Sequence, residues 1–137
     1  DLYSKDNKSV YYQGSLLKNA DVKTFEVISY WFSRDKSSVF YEEKKIENAD
    51  VNSFEIIDDW FSKDKNSVFF MGKKIKNADS DSFEVCGSNL TYESNGRQKC
   101  RPGTARDKNF IYIVRKAKYA PFRHLSKRKI SSIFKDF

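Results

Sequence analysis

The chain has 137 residues, 16% of them aromatic and 33% charged, which is long enough for one domain that buries about two thirds of its unfolded surface. No run of apolar residues approaches the ~20 that a membrane-spanning helix needs, so the composition argues against a helical membrane protein. The formal net charge of +7 is uneven, since residues 1–96 carry a net −4 and residues 97–137 a net +11. A segment this basic indicates either an acidic partner or a solvated basic face.

One motif recurs three times with an offset of 29 residues. Its first four positions are an aromatic residue, a serine, a lysine or arginine, and an aspartate. Polar residues follow, and the motif ends with a valine and two aromatic residues. The copies start at Tyr3, Phe32 and Phe61. A fixed period of this size is typical of a stack in which each unit buries its apolar face against its neighbours. We predict a single repeat domain with units at 3–31, 32–60 and 61–89, and a degenerate unit at 105–124 after an insertion at 87–104.

The elements within each unit are predicted to be strands. Segments such as Val39-Phe40-Tyr41 combine a β-branched residue with aromatics, which suits a pleated surface. The pairs that follow them, Gln13-Gly14, Glu42-Glu43 and Met71-Gly72, indicate tight hairpin turns. Asp21, Asp50 and Asp79 are expected to cap a single helical turn before a third, half-buried strand. The predicted fold class is therefore all-β, with repetitive antiparallel strands in three to four units of about 29 residues.

Repeated acidic residues suggest two kinds of chemistry. Asp6, Asp35, Asp64 and Asp107 invite a calcium hypothesis, but they lack the dense Asp/Asn ladder and terminal Glu of a calcium loop. We expect them instead to accept backbone hydrogen bonds in a turn before the strand. Lys36, Lys65 and Lys108 beside them are expected to form ion pairs between units. Glu26, Glu55 and Glu84 also repeat, but a paired-carboxylate hydrolase needs two different environments, which repetition does not supply.

Cys86 and Cys100 are the two cysteines of the chain and bracket 13 residues. A pair that flanks a polar loop predicts a disulfide in an oxidising compartment, with free thiols as the alternative. Closing a loop of that size contributes ~3 kcal/mol in the chain-entropy model. Two cysteines and the distant His124 do not make a zinc site of usual spacing, so we expect no metal and no cofactor.

Two further features leave alternatives open. Trp31 and Trp60, with Tyr30 and Phe32, form either a core ladder or an exposed aromatic row that stacks sugars or bases. His124 stands in a basic neighbourhood, where a small nuclease would use it as a general base. General acid–base chemistry normally needs a second titrating partner, so a surface histidine is the simpler interpretation.

The C-terminal segment 125–137 is predicted to be a short amphipathic helix. Leu125, Ile130, Ile133, Phe134 and Phe137 fall largely on one helical face. Lysines and arginines occupy much of the remaining surface. Such a helix either caps the open end of the repeat stack or lies on an anionic membrane surface or in a partner groove.

The repeated motif resembles the DKNYY family of bacterial repeat proteins. The resemblance is carried by three segments, Asp64-Lys65-Asn66-Ser67-Val68-Phe69-Phe70, Gly72-Lys73-Lys74-Ile75 and Asn77-Ala78-Asp79 with Ser82-Phe83-Glu84-Val85. It covers residues 3–85 well and residues 106–113 in part. It implies a bacterial and often envelope-associated origin, and it brings no catalytic residues. The insertion and the C-terminal segment depart from the pattern, so we look for the individual function there.

The sequence favours a non-enzymatic protein-binding module of a bacterial envelope, periplasm or secreted compartment. The expected partner is a protein with an acidic surface, and an immunity-like inhibitor of a secreted toxin is one form of this hypothesis. The expected binding residues are Arg97, Lys99, Arg101, Arg106, Arg115, Lys116, Lys118 and Arg123. One alternative is an envelope structural or adhesion module that binds glycan or anionic lipid, with peripheral membrane contact through the C-terminal helix. A small basic nuclease or toxin is a lesser alternative, and nucleic acid is not favoured as a partner.

Overall fold

The computed structural model describes residues 2–87, 91–92, 94, 98–116 and 123–129. These residues form antiparallel strands and turns, without a helix among them, which confirms the all-β prediction. The chain divides into two compact units, Asp1–Lys76 and Asn77–Phe137. The single repeat domain stays a prediction.

The first unit contains three small antiparallel meanders. Sheet one consists of β1 (Tyr3–Lys5), β2 (Val10–Tyr12) and β3 (Ser15–Leu16). Sheet two consists of β4 (Glu26–Val27), β5 (Phe32–Arg34), β6 (Val39–Tyr41) and β7 (Lys44–Lys45). Sheet three consists of β8 (Glu55–Ile56), β9 (Phe61–Lys63), β10 (Val68–Phe70) and β11 (Lys73–Lys74). Sheets two and three each join the last strand of one sequence repeat to the first strand of the next, with Glu26 opposite Arg34 and Glu55 opposite Lys63.

The predicted hairpin turns are confirmed at all three positions. The first central residues, Gln13, Glu42 and Met71, have left-handed φ angles of 47°, 54° and 49°. Two-residue hairpin turns need such a conformation because it matches the twist of the flanking strands. Glycine follows in the first and third turns, while Glu43 takes the same place in the second. The two-residue length of the turn is therefore kept in all three repeats. Its conformation at the second position differs, because Gly14 and Gly72 have left-handed φ angles of 82° and 75° and Glu43 does not.

The core of the first unit lies between successive sheets. Phe40 of sheet two is 1% exposed and packs into a cluster with Val10, Tyr12 and Leu17 of the preceding repeat. Phe69 of sheet three repeats this contact one unit later, in a cluster that contains Phe32, Val39, Tyr41 and Ile46. Each repeat therefore buries the central aromatic residue of the next, which is the stacking that a fixed period predicts.

Buried aspartates hold the later motif turns and tie each of them to the preceding repeat. Oδ1 of Asp64 accepts hydrogen bonds from the amides of Asn66 and Ser67 at 2.8 and 2.7 Å. Oδ2 accepts the amide of Asp50, fourteen residues earlier, at 2.9 Å. Asp35 does the same with Ser37, Ser38 and Asp21. The turn role predicted for the repeated aspartates is confirmed, and the carboxylates of Asp35 and Asp64 also span two repeats.

The Asn-Ala-Asp segments form hydrogen-bonded turns in place of the predicted helical turn. In the first of these turns the Thr24 amide donates to the Asp21 carbonyl at 3.2 Å, and the Thr24 hydroxyl donates to the Asp21 carboxylate at 3.0 Å. The expected lysine ion pairs are present and join consecutive repeats. Their Nζ–Oδ distances are 3.1 Å for Lys36–Asp21, 3.0 Å for Lys65–Asp50 and 3.0 Å for Lys108–Asp79.

The second unit contains a four-stranded sheet and a two-stranded one. The larger sheet has the order β12 (Glu84–Val85), β15 (Thr104–Arg106), β16 (Phe110–Lys116) and β17 (Arg123–Lys129). The smaller one pairs β13 (Thr91–Tyr92) with β14 (Gln98–Cys100) inside the insertion. The Asp79 amide donates to Asp107 Oδ2 at 2.9 Å across 28 residues. The degenerate unit therefore keeps the aspartate contact between repeats although the insertion doubles its sequence separation.

The predicted C-terminal helix is wrong where the structure describes it. Residues 123–129 form β17, which pairs with β16 over seven successive residue pairs from Phe110–Lys129 to Lys116–Arg123. The run Ile111-Tyr112-Ile113-Val114 is β-branched and aromatic, and its backbone needs a pairing partner on each side of the strand. Pairing with this strand overrides the helical spacing that begins at Leu125. Residues 130–137 lie outside the described residues, and no helix within the described part is long and apolar enough to cross a bilayer.

Candidate protein-binding surface

The most basic element of the described structure is the hairpin formed by β16 and β17, which we call the basic hairpin. Its fourteen strand residues include six cations and no acid. The cations are Arg115, Lys116, Arg123, Lys127, Arg128 and Lys129. The side chains of Arg115, Lys127, Arg128 and Lys129 are exposed, so this surface presents concentrated positive charge to solvent.

The register places two of these cations directly opposite each other. Lys116 lies directly opposite Arg123, and Arg115 lies opposite His124. Like charges directly across an antiparallel pair destabilise it, so folding alone does not favour this arrangement. At the other end of the hairpin the Lys127 ammonium lies 4.5 Å from the centroid of the Phe110 ring, a cation–π contact that positions one charge beside an aromatic surface.

A buried hydrogen-bond network fixes the base of the basic hairpin. Asp107 is 3% exposed, and its Oδ1 accepts the amides of Asn109 and Phe110 at 2.7 Å each. Its Oδ2 accepts the hydroxyl of Tyr112 at 2.6 Å. Burial, followed by this hydrogen bond to a carboxylate, raises the pKa of Tyr112 far above its ordinary value, so the hydroxyl stays protonated. β16, which carries Arg115 and Lys116, therefore starts from a rigid anchor.

The eight predicted binding residues differ in how far the structure describes them and in whether they are exposed or paired. Arg97 and Lys118 lie outside the described residues, and Lys99, Lys116 and Arg123 are described by their strand positions alone. Arg115 and Arg101 are exposed. Arg106 is different, because its guanidinium pairs with Glu84 on the neighbouring strand at 2.5 Å. Its charge is thus matched within the fold, as the charge of Arg34 is matched by Glu26.

The sequence prediction did not include Lys127, Arg128 and Lys129 among the binding residues. It assigned them to the polar side of a helix, away from Arg115 and Lys116. The antiparallel register instead brings β17 alongside β16, so all these cations share one hairpin. The signal in the sequence was the long apolar run that starts at Phe110, which required a partner strand.

Cys86 immediately precedes the insertion and contacts Thr104 at its far end. Cys86 is 6% exposed, its amide donates to the Thr104 carbonyl at 2.9 Å, and its sulfur accepts the Thr104 hydroxyl at 3.3 Å. Cys100 lies at the end of β14, opposite Thr91, and its side chain lies outside the described residues. The Cys86–Cys100 disulfide therefore stays a prediction.

The other candidate sites of the sequence have structural roles where they are described. Trp31 is half-buried against both core clusters and Phe32 is fully buried, which supports the core-ladder interpretation, whereas Tyr30 is 62% exposed. The described residues contain no group of three or more His, Cys, Asp or Glu side chains that is arranged to hold a metal ion. His124 is known by its strand position opposite Arg115.

Comparison with known families gives one match. Residues 1–44 and 42–114 both match the DKNYY family, and overlapping matches of this kind are typical of a repeated unit. The chain belongs to the DKNYY family. No curated protein and no solved structure gives a significant match. In this DKNYY protein the match ends at residue 114, so Arg115, Lys116 and β17 lie outside it.

Proposed function

We propose that this DKNYY protein is a non-enzymatic protein-binding module, and that its basic hairpin recognises the acidic surface of a partner protein. The observation that carries this proposal is the set of six cations without an acid on one short hairpin. A concentration of charge of one sign on a surface steers a partner of opposite charge and raises its association rate by roughly 10- to 1,000-fold.

The compartment follows from a second proposal, that Cys86 and Cys100 form a disulfide. Cys86 is buried and hydrogen-bonded to Thr104, the first residue of β15. Cys100 precedes Thr104 by four residues, so both cysteines lie near the start of β15. We place the protein in the oxidising environment of a bacterial envelope or secretion pathway. An immunity-like inhibitor of a secreted toxin is the specific form that we favour, because such a protein needs one tight partner and no chemistry of its own.

The experiment that tests the proposed function uses the oxidised full-length protein as bait against envelope and secreted extracts of its source organism. One protein retained in stoichiometric amount, with an association rate that falls steeply as salt rises, supports the proposal. Retention of anionic lipid or glycan alone overturns it in favour of an adhesion module, which the same exposed cations would also suit. Cleavage of nucleic acid by the purified protein, lost on His124→Ala, would overturn it in favour of a nuclease.

A matched pair of variants localises the contact. Arg115→Glu with Arg128→Glu reverses two exposed charges of the basic hairpin, and we expect the association rate to fall by about tenfold or more. Lys44→Glu with Lys73→Glu makes the same change in net charge on exposed residues of sheets two and three. Equal effects from the two double variants would mean that net charge alone, without a specific surface, controls binding.

A further inference from the structure

A cleft of about 560 Å³ lies between the first and second repeats, within the first compact unit. Its first-repeat side is formed by Leu16, at the end of β3, and by Lys18 and Asn19 in the turn that follows. Its second-repeat side is formed by the four charged residues of the segment 43–47, which contains β7. A cleft of this size falls within the range of small-molecule sites.

The cleft brings together charged groups of both signs. Its lining includes three ammonium groups and two carboxylates, those of Lys18, Lys44, Lys45, Glu43 and Glu47. In the described part of the chain, the side-chain ion pairs within 4 Å join other residues, such as Lys36 with Asp21 and Lys65 with Asp50. The charged groups of the cleft are therefore not neutralised by contact with one another, and they remain available to a ligand.

The order of these charges follows from the strand that carries them. Glu43 precedes the two lysines of β7, and Glu47 follows Lys45 by two positions. A carboxylate therefore lies at each end of the lysine pair, while the Lys18 side chain comes from the neighbouring repeat. Adjacent positive and negative groups complement a ligand that carries both an anion and an ammonium group.

The two carboxylates of the cleft are not required by the fold. Glu43 takes the second place of a hairpin turn in which the other repeats have Gly14 and Gly72. Burial, and then the charge of Glu43, raise the pKa of Glu42, so Glu43 disfavours the ionised form of its neighbour. Glu47 stands where the first and third repeats carry a lysine. Since the repeat folds with glycine or lysine at these positions, the acids indicate a role at the surface.

The exposure of the cleft is a property of the stack. Leu16 is 49% exposed, and Lys45 and Lys74, which take its place in the second and third repeats, are exposed as well. Each of these lysines has a full repeat before it, so solvent reaches this position wherever it occurs. In the first repeat the position carries an apolar side chain, which gives the cleft a surface that methylene groups can contact.

We propose that the cleft binds a small zwitterion that joins an ammonium group to a phosphate through a short carbon chain, as in phosphoethanolamine. A phosphate monoester carries roughly 1.5–2 negative charges at neutral pH, and lysine ammonium groups are common phosphate ligands. The three lysines therefore suit the phosphate, Glu43 and Glu47 suit the ammonium group, and Leu16 suits the carbon chain. This site goes beyond the proposed function, because it needs no partner protein and lies in the first unit, whereas the basic hairpin lies in the second.

The test is a titration of the full-length protein with O-phosphoethanolamine, followed by NMR of the Leu16 methyl groups. We expect saturable shifts with a Kd on the order of 1 mM, as for other ligands of this size. Inorganic phosphate and ethanolamine each lack one of the two charged groups, and we expect each to bind about tenfold or more weakly. No saturable shift with phosphoethanolamine, or equal binding of inorganic phosphate, overturns the proposal.

Two variants separate the two ends of the ligand. Glu43→Gly reproduces the glycine of the other hairpin turns, and we expect it to reduce the affinity for phosphoethanolamine to that for inorganic phosphate. Lys45→Gln removes a phosphate contact, and we expect a loss of about fivefold or more. Lys74→Gln is its control, because Lys74 takes the same place in the third repeat and does not line the cleft. Equal losses in the two lysine variants, or a Glu43→Gly protein that binds the probe as the wild type does, overturn the proposal.

Phosphatidylcholine vesicles with and without phosphatidylethanolamine distinguish two sources of this ligand. Both kinds of vesicle lack net charge, so neither attracts the basic hairpin electrostatically. Co-sedimentation that requires phosphatidylethanolamine and is lost in Glu43→Gly identifies a lipid head group, whereas binding of the soluble probe alone identifies a free compound. We expect Arg115→Glu with Arg128→Glu to leave probe binding unchanged, so this site and the proposed function can fail independently.

Discussion

At the residue scale, the aspartate of the motif turn is the main connection between repeats. A carboxylate buried in an apolar stack would be unfavourable without compensation. In Asp64 it is compensated by three backbone amides, two from its own turn and one from the preceding repeat. A single side chain therefore shapes the turn that starts β10 and secures the turn at Asp50.

Replacing this aspartate should lower the free energy of unfolding much more at Asp64, inside the stack, than at Asp6, the exposed aspartate of the first motif copy. We expect Asp64→Ala to lower the free energy of unfolding by about 3 kcal/mol, because it leaves amides without an acceptor in a buried site. Asp6→Ala is the control, since Asp6 is exposed and accepts amides only from Lys8 and Ser9 of its own turn. Urea unfolding of both variants measures the difference, and equal losses would show that the contact between repeats contributes nothing.

Substitution of the two hairpin-turn glycines distinguishes the cost of backbone strain from the cost of close packing. Gly14 and Gly72 have similar φ angles of 82° and 75°. A Cβ at Gly72 would lie 2.8 Å from Cβ of Tyr41 in the preceding repeat, whereas a Cβ at Gly14 would meet nothing within 4 Å. We expect Gly14→Ala to lower the free energy of unfolding by about 1 kcal/mol, and Gly72→Ala to lower it by about 2–4 kcal/mol, since overpacking adds to strain. Chemical denaturation of the two proteins tests this order, and a reversed order would contradict the close packing of the two repeats.

At the element scale, the turns at Asp21, Asp50 and Asp79 make folding sensitive to acid. The ammonium of Lys36 and the hydroxyl of Thr24 lower the pKa of Asp21. For Asp50, the hydroxyl of Ser53 and then Lys65 lower the pKa, and for Asp79 the Ser82 hydroxyl and then Lys108 do so. Each group binds its proton more weakly in the folded state than in the unfolded chain.

The direction of the pH dependence follows from these lowered values. A depressed carboxyl pKa contributes stability that is complete above the unfolded value of about 4 and is lost as pH falls through the folded value. We therefore expect the urea midpoint to be nearly constant from pH 7 to about pH 5 and to fall below about pH 4. Asp50→Asn, which cannot titrate, should show a smaller acid-induced fall than the wild type. An unchanged slope in this variant would assign the acid sensitivity to other groups.

The elements also show what the sequence could and could not predict. The role of Asp64 and the ion pair of Lys65 were predictable, because both depend on neighbours fixed by the 29-residue period. The pairing of β4 with β5 across a repeat boundary was not, since strand order depends on contacts in space that spacing along the chain leaves open. β17 was mistaken for a helix because Leu125 begins a helical spacing, while its real determinant is the unpaired apolar strand that starts at Phe110.

The candidate surfaces differ in the same way. Arg115 was predictable as an exposed cation, since its segment is rich in lysine and arginine and almost free of acids. The pairing of Arg106 with Glu84 was not predictable, because the two residues are 22 positions apart with the insertion between them.

At the scale of the whole molecule, the disulfide that we propose between Cys86 and Cys100 would connect the end of β12 to β14. We expect the unfolded, unreduced protein to contain no thiol that reacts with a thiol reagent, and the reduced protein to contain two. Reduction should lower the free energy of unfolding by ~3 kcal/mol in the chain-entropy model. Cys86→Ser with Cys100→Ser should match the reduced protein, and two reactive thiols before reduction would exclude the disulfide.

The division into two compact units leads to a final prediction about folding. The first unit, 1–76, contains both core clusters, including the contacts of Phe40 and Phe69 with the repeats before them. In a stack whose members interact with nearest neighbours, stability is the sum of local terms, so removing one end leaves the remaining interfaces intact. We expect a fragment of residues 1–76 to keep its β-sheet circular dichroism and to unfold cooperatively in urea, with a lower midpoint. Its m-value should be roughly half that of the full chain, because m scales with the surface that unfolding exposes. A fragment that is unfolded in buffer would mean that the first unit depends on residues 77–137, and that the repeats fold only as one body.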